Sequence, residues 1–238
     1  MPSPCPPLAG VTIVFDLDGT LIDTAPDLVG VLNGLLAEEG VAPLGLAQGR
    51  PMIGRGARAL IAHGFAAAGA ELAEDDMPAL FDRFIAAYRA RIADESLPFA
   101  GAVAALDLLR NAGAVLAVCT NKPTDLSVAL LAALGVADRF AAIVGPDAAP
   151  AAKPDPRHIL AAIDRAGGAR GRAVMVGDSD TDAMAARAAG IPLILVSFGY
   201  TETPARDLAP DILIDHFDDL PAACARLLQA CPAPAERL

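Results

Sequence analysis

The sequence predicts an α/β fold, a doubly wound parallel sheet with a Rossmann-like core, into which a small helical cap domain is inserted. Three features predict it. Short runs rich in Val and Ile recur along most of the chain, and segments with helical periodicity lie between them. One long stretch, from about Ala25 to Leu97, contains no such run and is rich in Ala and Leu. Alternation of strands and helices indicates a doubly wound sheet, and the long stretch is an insertion in this alternation after the first strand.

Each short apolar run is continuous and ends abruptly in polar residues. Runs of this kind are typical of strands that are buried on both faces, as in a parallel sheet. The predicted strands are Val11–Asp16, Ala114–Thr120, Ala141–Gly145, Ala173–Asp178, Pro192–Ser197 and Asp211–Asp215.

Helices are predicted after three of these strands, at Thr124–Leu134, Pro156–Ala166 and Asp180–Ala189. The long stretch exceeds any ordinary loop, and glycines near positions 40, 54–56 and 69 divide it. We therefore predict an α/β core of residues 8–22 and 98–230, a helical cap of residues 23–97, and loose tails at residues 1–7 and 231–238.

The composition argues against several classes of partner. The formal net charge is −11 and no basic run is present, so we expect no nucleic-acid partner. No apolar run approaches the roughly 20 residues that span a membrane, and the proline-rich start does not resemble a signal peptide. The four cysteines form neither a CxxC pair nor a zinc pattern, and Cys119 fits a buried thiol. We expect a cytoplasmic protein, either a monomer or a homodimer.

The first predicted strand ends in Asp16-Leu17-Asp18-Gly19-Thr20. In a strand, Asp16 and Asp18 share a face, and Gly19 permits a turn. Two carboxylates this close repel each other when both are ionised, and a bound cation relieves that repulsion. Alternatively, one carboxyl stays protonated and serves as a general acid. A third possibility is an Asx-type turn with two solvated acids.

A second acidic cluster follows the strand Ala173–Asp178. The string from Asp178 to Asp182 holds three acids in five residues, more than a helix cap needs. Excess carboxylates beside a core strand suggest a hard cation, and Mg²⁺ prefers one or two carboxylates with water and substrate phosphate. The alternative is ordinary pairing of acids with a helix N-terminus.

Two further polar groups follow predicted strands. Thr120 and Asn121 can donate hydrogen bonds to phosphate oxygens, or they can cap a helix before Pro123. Lys153, which is followed by prolines, is either an ordinary surface lysine or a fixed cation that neutralises phosphate charge.

Joint placement decides between these alternatives. Asp16, Thr120 and Asp178 each end a predicted strand, and Lys153 follows a fourth. Ligands of open α/β sheets bind outside the carboxyl ends of the strands. We therefore expect these residues to converge on one site for a phosphate group and a divalent cation.

Four motifs carry a family resemblance. DLDGT, CTNK, the lysine of KPDP and GDSDTD occur in the order seen in the haloacid dehalogenase-like hydrolase superfamily, and the resemblance runs from Val11 to about Leu220. TNKPTDL, VGDSDTDAMAARAAG and SFGYTETPARDLAPD look like its phosphoglycolate phosphatase branch. The resemblance implies a small helical cap and a Mg²⁺-dependent phosphatase for a small phosphate ester, with 2-phosphoglycolate favoured.

The resemblance also implies roles for single residues. Asp16 would attack phosphorus and form an aspartyl-phosphate, and Asp18 would protonate the leaving alkoxide and then activate water. The phosphoryl group would be bound by Thr120, Asn121 and Lys153, and Mg²⁺ by Asp16, the backbone carbonyl of Asp18, Asp178 and, in a supporting position, Asp182.

Some motifs remain outside this scheme. Gly54-Arg55-Gly56 has a loose GxGxxA form but lacks the strand that precedes a dinucleotide site. Within a cap, Arg55 is expected to bind a substrate carboxylate, with a solvated arginine as the alternative. For the three histidines we expect structural roles.

Two other functions compete with hydrolysis. A sugar phosphomutase would use the same Asp16 and Asp18 but return phosphate to a sugar. A receiver-like module, phosphorylated on an aspartate, shares the acidic strand ends but is shorter and has no cap insertion. The length and the predicted cap argue against the receiver-like module, and the sugar phosphomutase remains the alternative to the phosphatase.

Overall fold

The computed structural model describes residues 8–230. In chain order its strands are β1 (Thr12–Phe15), β2 (Ile22–Asp23), β3 (Leu97–Pro98), β4 (Val115–Cys119), β5 (Ala142–Val144), β6 (Ala173–Gly177), β7 (Leu193–Val196) and β8 (Ile212–Ile214). Its α-helices are α1 (Ala25–Glu38), α2 (Leu46–Gly49), α3 (Ala57–Ala67), α4 (Met77–Ala90), α5 (Ala102–Asn111), α6 (Thr124–Ala133), α7 (Pro156–Arg165), α8 (Asp180–Ala189) and α9 (Leu220–Ala230). The predicted tails lie outside the described residues.

Six of the strands form one sheet in the order β5-β4-β1-β6-β7-β8, and all its neighbours are parallel. This confirms the predicted fold class. Each of the six predicted runs contains one strand, and most extend a residue past its ends. The crossover from β5 on one side to β6 on the other makes the ends of β4, β1 and β6 the switch point of the sheet.

Both faces of the sheet are covered by helices. Alternate strand residues point to opposite faces, so that Ile13 and Phe15 pack in one cluster and Val14 in another. Helices α5, α6 and α9 contribute to the first cluster, and α7 and α8 contribute to the second. This two-sided burial explains why the strands are continuously apolar.

The inserted stretch forms a helical layer of its own, α1 to α4, which we call the cap. Its apolar side chains make a third cluster, which also takes in Leu126 and Tyr200 from the core. The short ribbon of β2 and β3 pairs Asp23 with Leu97, and the predicted cap limits fall on this ribbon. Within the described residues, no helix is both long and apolar enough to cross a membrane.

Candidate active site

Three polar residues follow directly the ends of neighbouring strands. Asp16 follows β1, Thr120 follows β4 and Asp178 follows β6. The Asp16 N–H donates to Val176 O at 2.9 Å, and the Thr120 N–H donates to Val144 O at 3.1 Å, so each residue prolongs the sheet by one bond. All three are buried at the same edge.

Lys153 lies among the acids of this edge. Its Nζ is 2.8 Å from Asp16 Oδ1, as an ion pair, and donates to Asp182 Oδ1 at 2.7 Å. Burial opposes its positive charge, but the neighbouring carboxylates of Asp16 and Asp182 raise the pKa of the ammonium overall. Lys153 is therefore a charged, immobile cation.

The backbone of Lys153 is held by two side chains. The Asn121 amide accepts from Lys153 N–H at 3.0 Å and donates to Lys153 O at 3.1 Å. His158 Nδ1 also accepts from Lys153 N–H at 3.1 Å, and its Nε2 lies 3.1 Å from Val144 O. Burial and the charge of Lys153 lower the pKa of His158 to about 4, so the ring is neutral.

Asp178 and Asp182 differ in how their oxygens are used. Asp178 accepts one hydrogen bond on each oxygen, from Thr20 Oγ1 and from Tyr200 N, both at 2.7 Å. Asp182 Oδ2 accepts from Asp178 N and Ser179 N at 3.1 Å and from Ser179 Oγ at 2.7 Å. With Lys153 on its other oxygen, the Asp182 carboxylate is bonded on both sides and orients the turn between β6 and α8.

Close approach of the loops brings these acids together. Gly19 has φ +85°, and a Cβ there would lie 2.7 Å from Asp178 Oδ2. Only glycine combines this backbone conformation with so near a contact. The turn after β1 therefore depends on Gly19 to reach Asp178.

The acids fit a divalent cation. Asp16, Asp178 and Asp182 each offer an oxygen within 4.8 Å of the others, and all three are buried. Burial raises the pKa of Asp16 to about 7, and burial and the charges of Asp182 and Asp16 raise the pKa of Asp178. A cation would relieve this uncompensated negative charge, and oxygen donors are those that Mg²⁺ prefers.

Asp18 has a partner that the sequence interpretation missed. Lys122 Nζ donates to Asp18 Oδ1 at 2.7 Å and to Oδ2 at 2.9 Å, and it lies 4.6 Å from the centre of the Tyr88 ring. Burial opposes the charge of Lys122, but Asp18 and Tyr88 raise its pKa overall. One feature of the sequence could have drawn attention to Lys122: it and Lys153 are the only lysines of the chain.

A cleft of about 480 Å³ opens between the strand ends and the cap. Asp16, Asp18, Thr120 and Asn121 line its core side. Its cap side is mostly apolar and includes Leu28, Ile53, Leu60, Phe84 and Ile85. The arrangement therefore places two carboxylates, Asp16 and Asp18, at a partly water-excluded cleft, and Asp16 also belongs to the acidic cluster with Asp178 and Asp182.

A family model for haloacid dehalogenase-like hydrolases matches residues 13–196. The chain belongs to the haloacid dehalogenase-like hydrolases. It is 59% identical to a phosphoglycolate phosphatase of Caulobacter vibrioides, over 95% of this chain and 96% of that one. It is 47% identical to a phosphoglycolate phosphatase of Agrobacterium fabrum, over 98% of both chains.

A solved structure is also similar. The crystal structure of a predicted phosphoglycolate phosphatase from Haemophilus somnus has a TM-score of 0.83 and 29% identity, covering 91% of this chain and 98% of that one. Together these similarities identify the chain as a phosphoric monoester hydrolase of the phosphoglycolate phosphatase branch.

In this haloacid dehalogenase-like hydrolase, Asn121 lies beside Thr120 and Lys153 but its side-chain amide has no free N–H group, and Arg55 lies in a different cleft. Both N–H groups of the Asn121 amide are used, one by Lys153 O and the other by Gly54 O at 3.2 Å. Arg55 is about half-exposed and pairs with Asp180 Oδ2 at 2.7 Å. It lines a separate, smaller cleft with Asp180 and Tyr200.

Proposed function

We propose that this enzyme hydrolyses 2-phosphoglycolate in a Mg²⁺-dependent reaction that passes through a phosphorylated Asp16. The observation that carries the proposal is the buried Asp16 at the switch point, ion-paired to Lys153 and followed two residues later by Asp18. The name phosphoglycolate phosphatase that the curated relatives carry supports the choice of substrate.

In the first step an Asp16 carboxylate oxygen attacks phosphorus. A phosphorus–oxygen bond to Asp16 forms, and the bond from phosphorus to the ester oxygen breaks. Asp18 donates a proton to that oxygen, and glycolate leaves as the alcohol. Lys122 keeps the Asp18 carboxylate in position through two hydrogen bonds.

In the second step water attacks the phosphorus of the phosphorylated Asp16. Asp18 accepts a proton from that water, so its proton count returns to the starting value, and inorganic phosphate leaves. Dividing the displacement into two steps lets one buried carboxylate and one acid–base group serve both halves.

The phosphoryl oxygens would be bound by the Thr120 hydroxyl and by the Lys153 ammonium, which neutralises their charge. Both Asn121 N–H groups are used by the backbone, so Asn121 would act on the phosphoryl group by fixing Lys153. Arg55 remains a proposed substrate ligand, and in that role it would have to leave Asp180.

Asp16, Asp178 and the backbone carbonyl of Asp18 would hold Mg²⁺, and Asp182 would support them by orienting the turn. When bound, the ion supplies positive charge for the phosphoryl oxygens and offsets the repulsion among the acids. A cytoplasmic location, consistent with the buried Cys119 thiol, belongs to the same proposal.

The test is phosphate release from 2-phosphoglycolate with Mg²⁺, measured for the wild type, Asp16→Asn and the control Asp207→Asn. Asp207 is exposed, so its change should leave the rate near the wild-type value. Asp16→Asn should lower kcat by about 10³-fold or more, because the amide is not a competent nucleophile. Near-normal turnover in Asp16→Asn, or full activity in excess chelator, would overturn the mechanism.

A further inference from the structure

The cleft contains a cation that the hydrolysis scheme does not fully use. Of the described residues that line the cleft, only Lys122 is positively charged. Its side chain is 5% exposed. An ammonium has three N–H donors, and the two Asp18 oxygens account for two of them. The third N–H meets no second carboxylate within the described residues, and its neighbour is the neutral Tyr88 side chain.

Tyr88 supplies a further hydrogen-bond donor at the same place. Its side chain comes from the cap helix α4, lines the cleft and packs its ring beside Lys122 Nζ. The residue is 1% exposed, and its hydroxyl has no aligned hydrogen-bond partner within residues 8–230. A buried hydroxyl without a partner costs about 1–3 kcal/mol, so the hydroxyl is expected to gain its partner from a ligand.

The first turn of α3 borders the same cleft. Gly56 and Ala57, where the helix begins, both line it, and no side chain caps the helix N-terminus. The free N–H groups of a first helical turn and the helix dipole favour a negative charge in front of them. Lys122, Tyr88 and the first turn of α3 thus offer hydrogen bonds or positive potential to one region.

We propose that Lys122, Tyr88 and the first turn of α3 form a subsite for a carboxylate on the leaving group of the substrate. This inference rests on the proposed phosphatase function and deepens it. Asp18, the proposed proton donor, would stand beside the ester oxygen, and Lys122 is bonded to Asp18. A carboxylate one methylene beyond the ester oxygen would therefore reach Lys122.

The rest of the cap-side wall fits a short acid better than a sugar. Leu28, Leu60 and Phe84 offer no hydrogen bonds for a row of hydroxyl groups. An apolar surrounding also strengthens the attraction between Lys122 and a carboxylate, because water screens it less. The subsite therefore selects small phosphate esters that carry a carboxylate close to the phosphate.

The experiment compares 2-phosphoglycolate with its neutral amide analogue, carbamoylmethyl phosphate. Both probes have nearly the same shape, and only the first has the second negative group. Their affinities for the Asp16→Asn protein in Mg²⁺ are measured by calorimetry, where no turnover interferes. We expect 2-phosphoglycolate to bind about tenfold or more tightly, the value of one hydrogen bond to a charged group.

Two variants in the same background then test the subsite. Tyr88→Phe keeps the ring and removes only the hydroxyl, and Lys122→Met removes the charge; each should lower the affinity ratio by about tenfold. Tyr200→Phe is the matched control, because it removes the other tyrosine hydroxyl of the chain from outside this cleft, and the ratio should persist.

Equal affinity for the acid and the amide would overturn the subsite. So would an unchanged ratio in both Tyr88→Phe and Lys122→Met, or a ratio that is lost only in Arg55→Gln. Phosphate release by the wild type is measured separately. If 2-phosphoglycolate is not hydrolysed but the ratio depends on Tyr88 and Lys122, the proposed substrate is wrong and the carboxylate subsite stands.

Discussion

Lys153 is the cation that contacts the acidic cluster of Asp16, Asp178 and Asp182 within the described residues. It contacts Asp16 and Asp182, whereas Asp178 has only neutral donors around its carboxylate. Buried charges without an opposite partner destabilise a fold. The site therefore carries unbalanced negative charge that a bound cation would compensate.

Magnesium should consequently stabilise the folded protein. At a concentration about 100 times its Kd, a ligand that binds only the folded state adds about 2.7 kcal/mol, which corresponds to a rise in Tm of roughly 5–10 °C. Asp178→Asn should lose most of this rise, and the exposed Asp207→Asn should keep it. Calorimetric melting with and without Mg²⁺ measures the shift; equal shifts in all three proteins would argue against Asp178 as a ligand.

His158 makes stability depend on pH. Its folded-state pKa of about 4 lies below the ordinary value of 6.5, so the unfolded chain binds a proton more readily than the folded protein. Stability should be complete above pH 6.5 and should fall between pH 6.5 and 4, by roughly 3 kcal/mol in total.

Urea unfolding across this pH range measures the loss. His158→Gln should flatten the slope, although it lowers stability at neutral pH, and His63→Gln, at an exposed position, should keep it. A slope that survives unchanged in His158→Gln would assign the acid sensitivity to other groups.

At the scale of elements, the cap depends on close helix packing. Gly64 of α3 lies against Leu32 of α1, and a Cβ at Gly64 would stand 2.6 Å from Leu32 Cδ2. Both residues are buried. The small side chains that dominate this stretch thus set how near the helices approach.

Gly64→Ala should lower the free energy of unfolding by about 1–3 kcal/mol, because the added methyl overpacks the contact with Leu32. Gly34→Ala in α1 is the matched control, since no atom lies within 4 Å of its Cβ position. It should raise stability by about 0.5–1 kcal/mol through helix propensity alone. Denaturant unfolding separates the two, and equal gains would contradict the proposed tight crossing.

At the scale of the whole molecule, positive charge is distributed unevenly. Surface cations are arginines, whereas both lysines of the chain are buried at the site, under the cap. The cap meets the core through exposed or half-exposed pairs, Arg55 with Asp180 and Arg89 with Asp125. Such pairs contribute roughly 1 kcal/mol or less each. The apolar third cluster, which includes Leu126 and Tyr200 of the core, therefore contributes most of the attachment of the cap to the core.

Amine reagents should therefore leave Lys122 and Lys153 largely unmodified in the native protein. Both amines are buried, and the nearby carboxylates raise their pKa values, so the reactive neutral form is rare. Peptide mass spectrometry after acetylation, with and without urea, tests this. Rapid native labelling of Lys122 would indicate that the cap leaves the site open.

Much of this architecture could be predicted because it depends on local pattern. Continuous apolar runs identified every strand of the six-stranded sheet, and the placement of Asp16, Thr120 and Asp178 after them predicted their shared edge. The ribbon of β2 and β3 was not predicted, because strands of two residues have no detectable period. Lys122 was seen in its motif, but its bond to Asp18 was not, because the two lie 104 positions apart.

The sequence by itself determined the order of strands and helices, the long insertion and the residues that stand at strand ends, since periodicity and turn residues encode these locally. Only the tertiary structure decided which groups pair: Lys122 with Asp18, Lys153 with Asp16 and Asp182, and Asn121 with the backbone of Gly54 and Lys153. Such pairings depend on how the cap and the two helix layers pack against the sheet. No local pattern of side chains specifies how close residues far apart in the sequence come to each other.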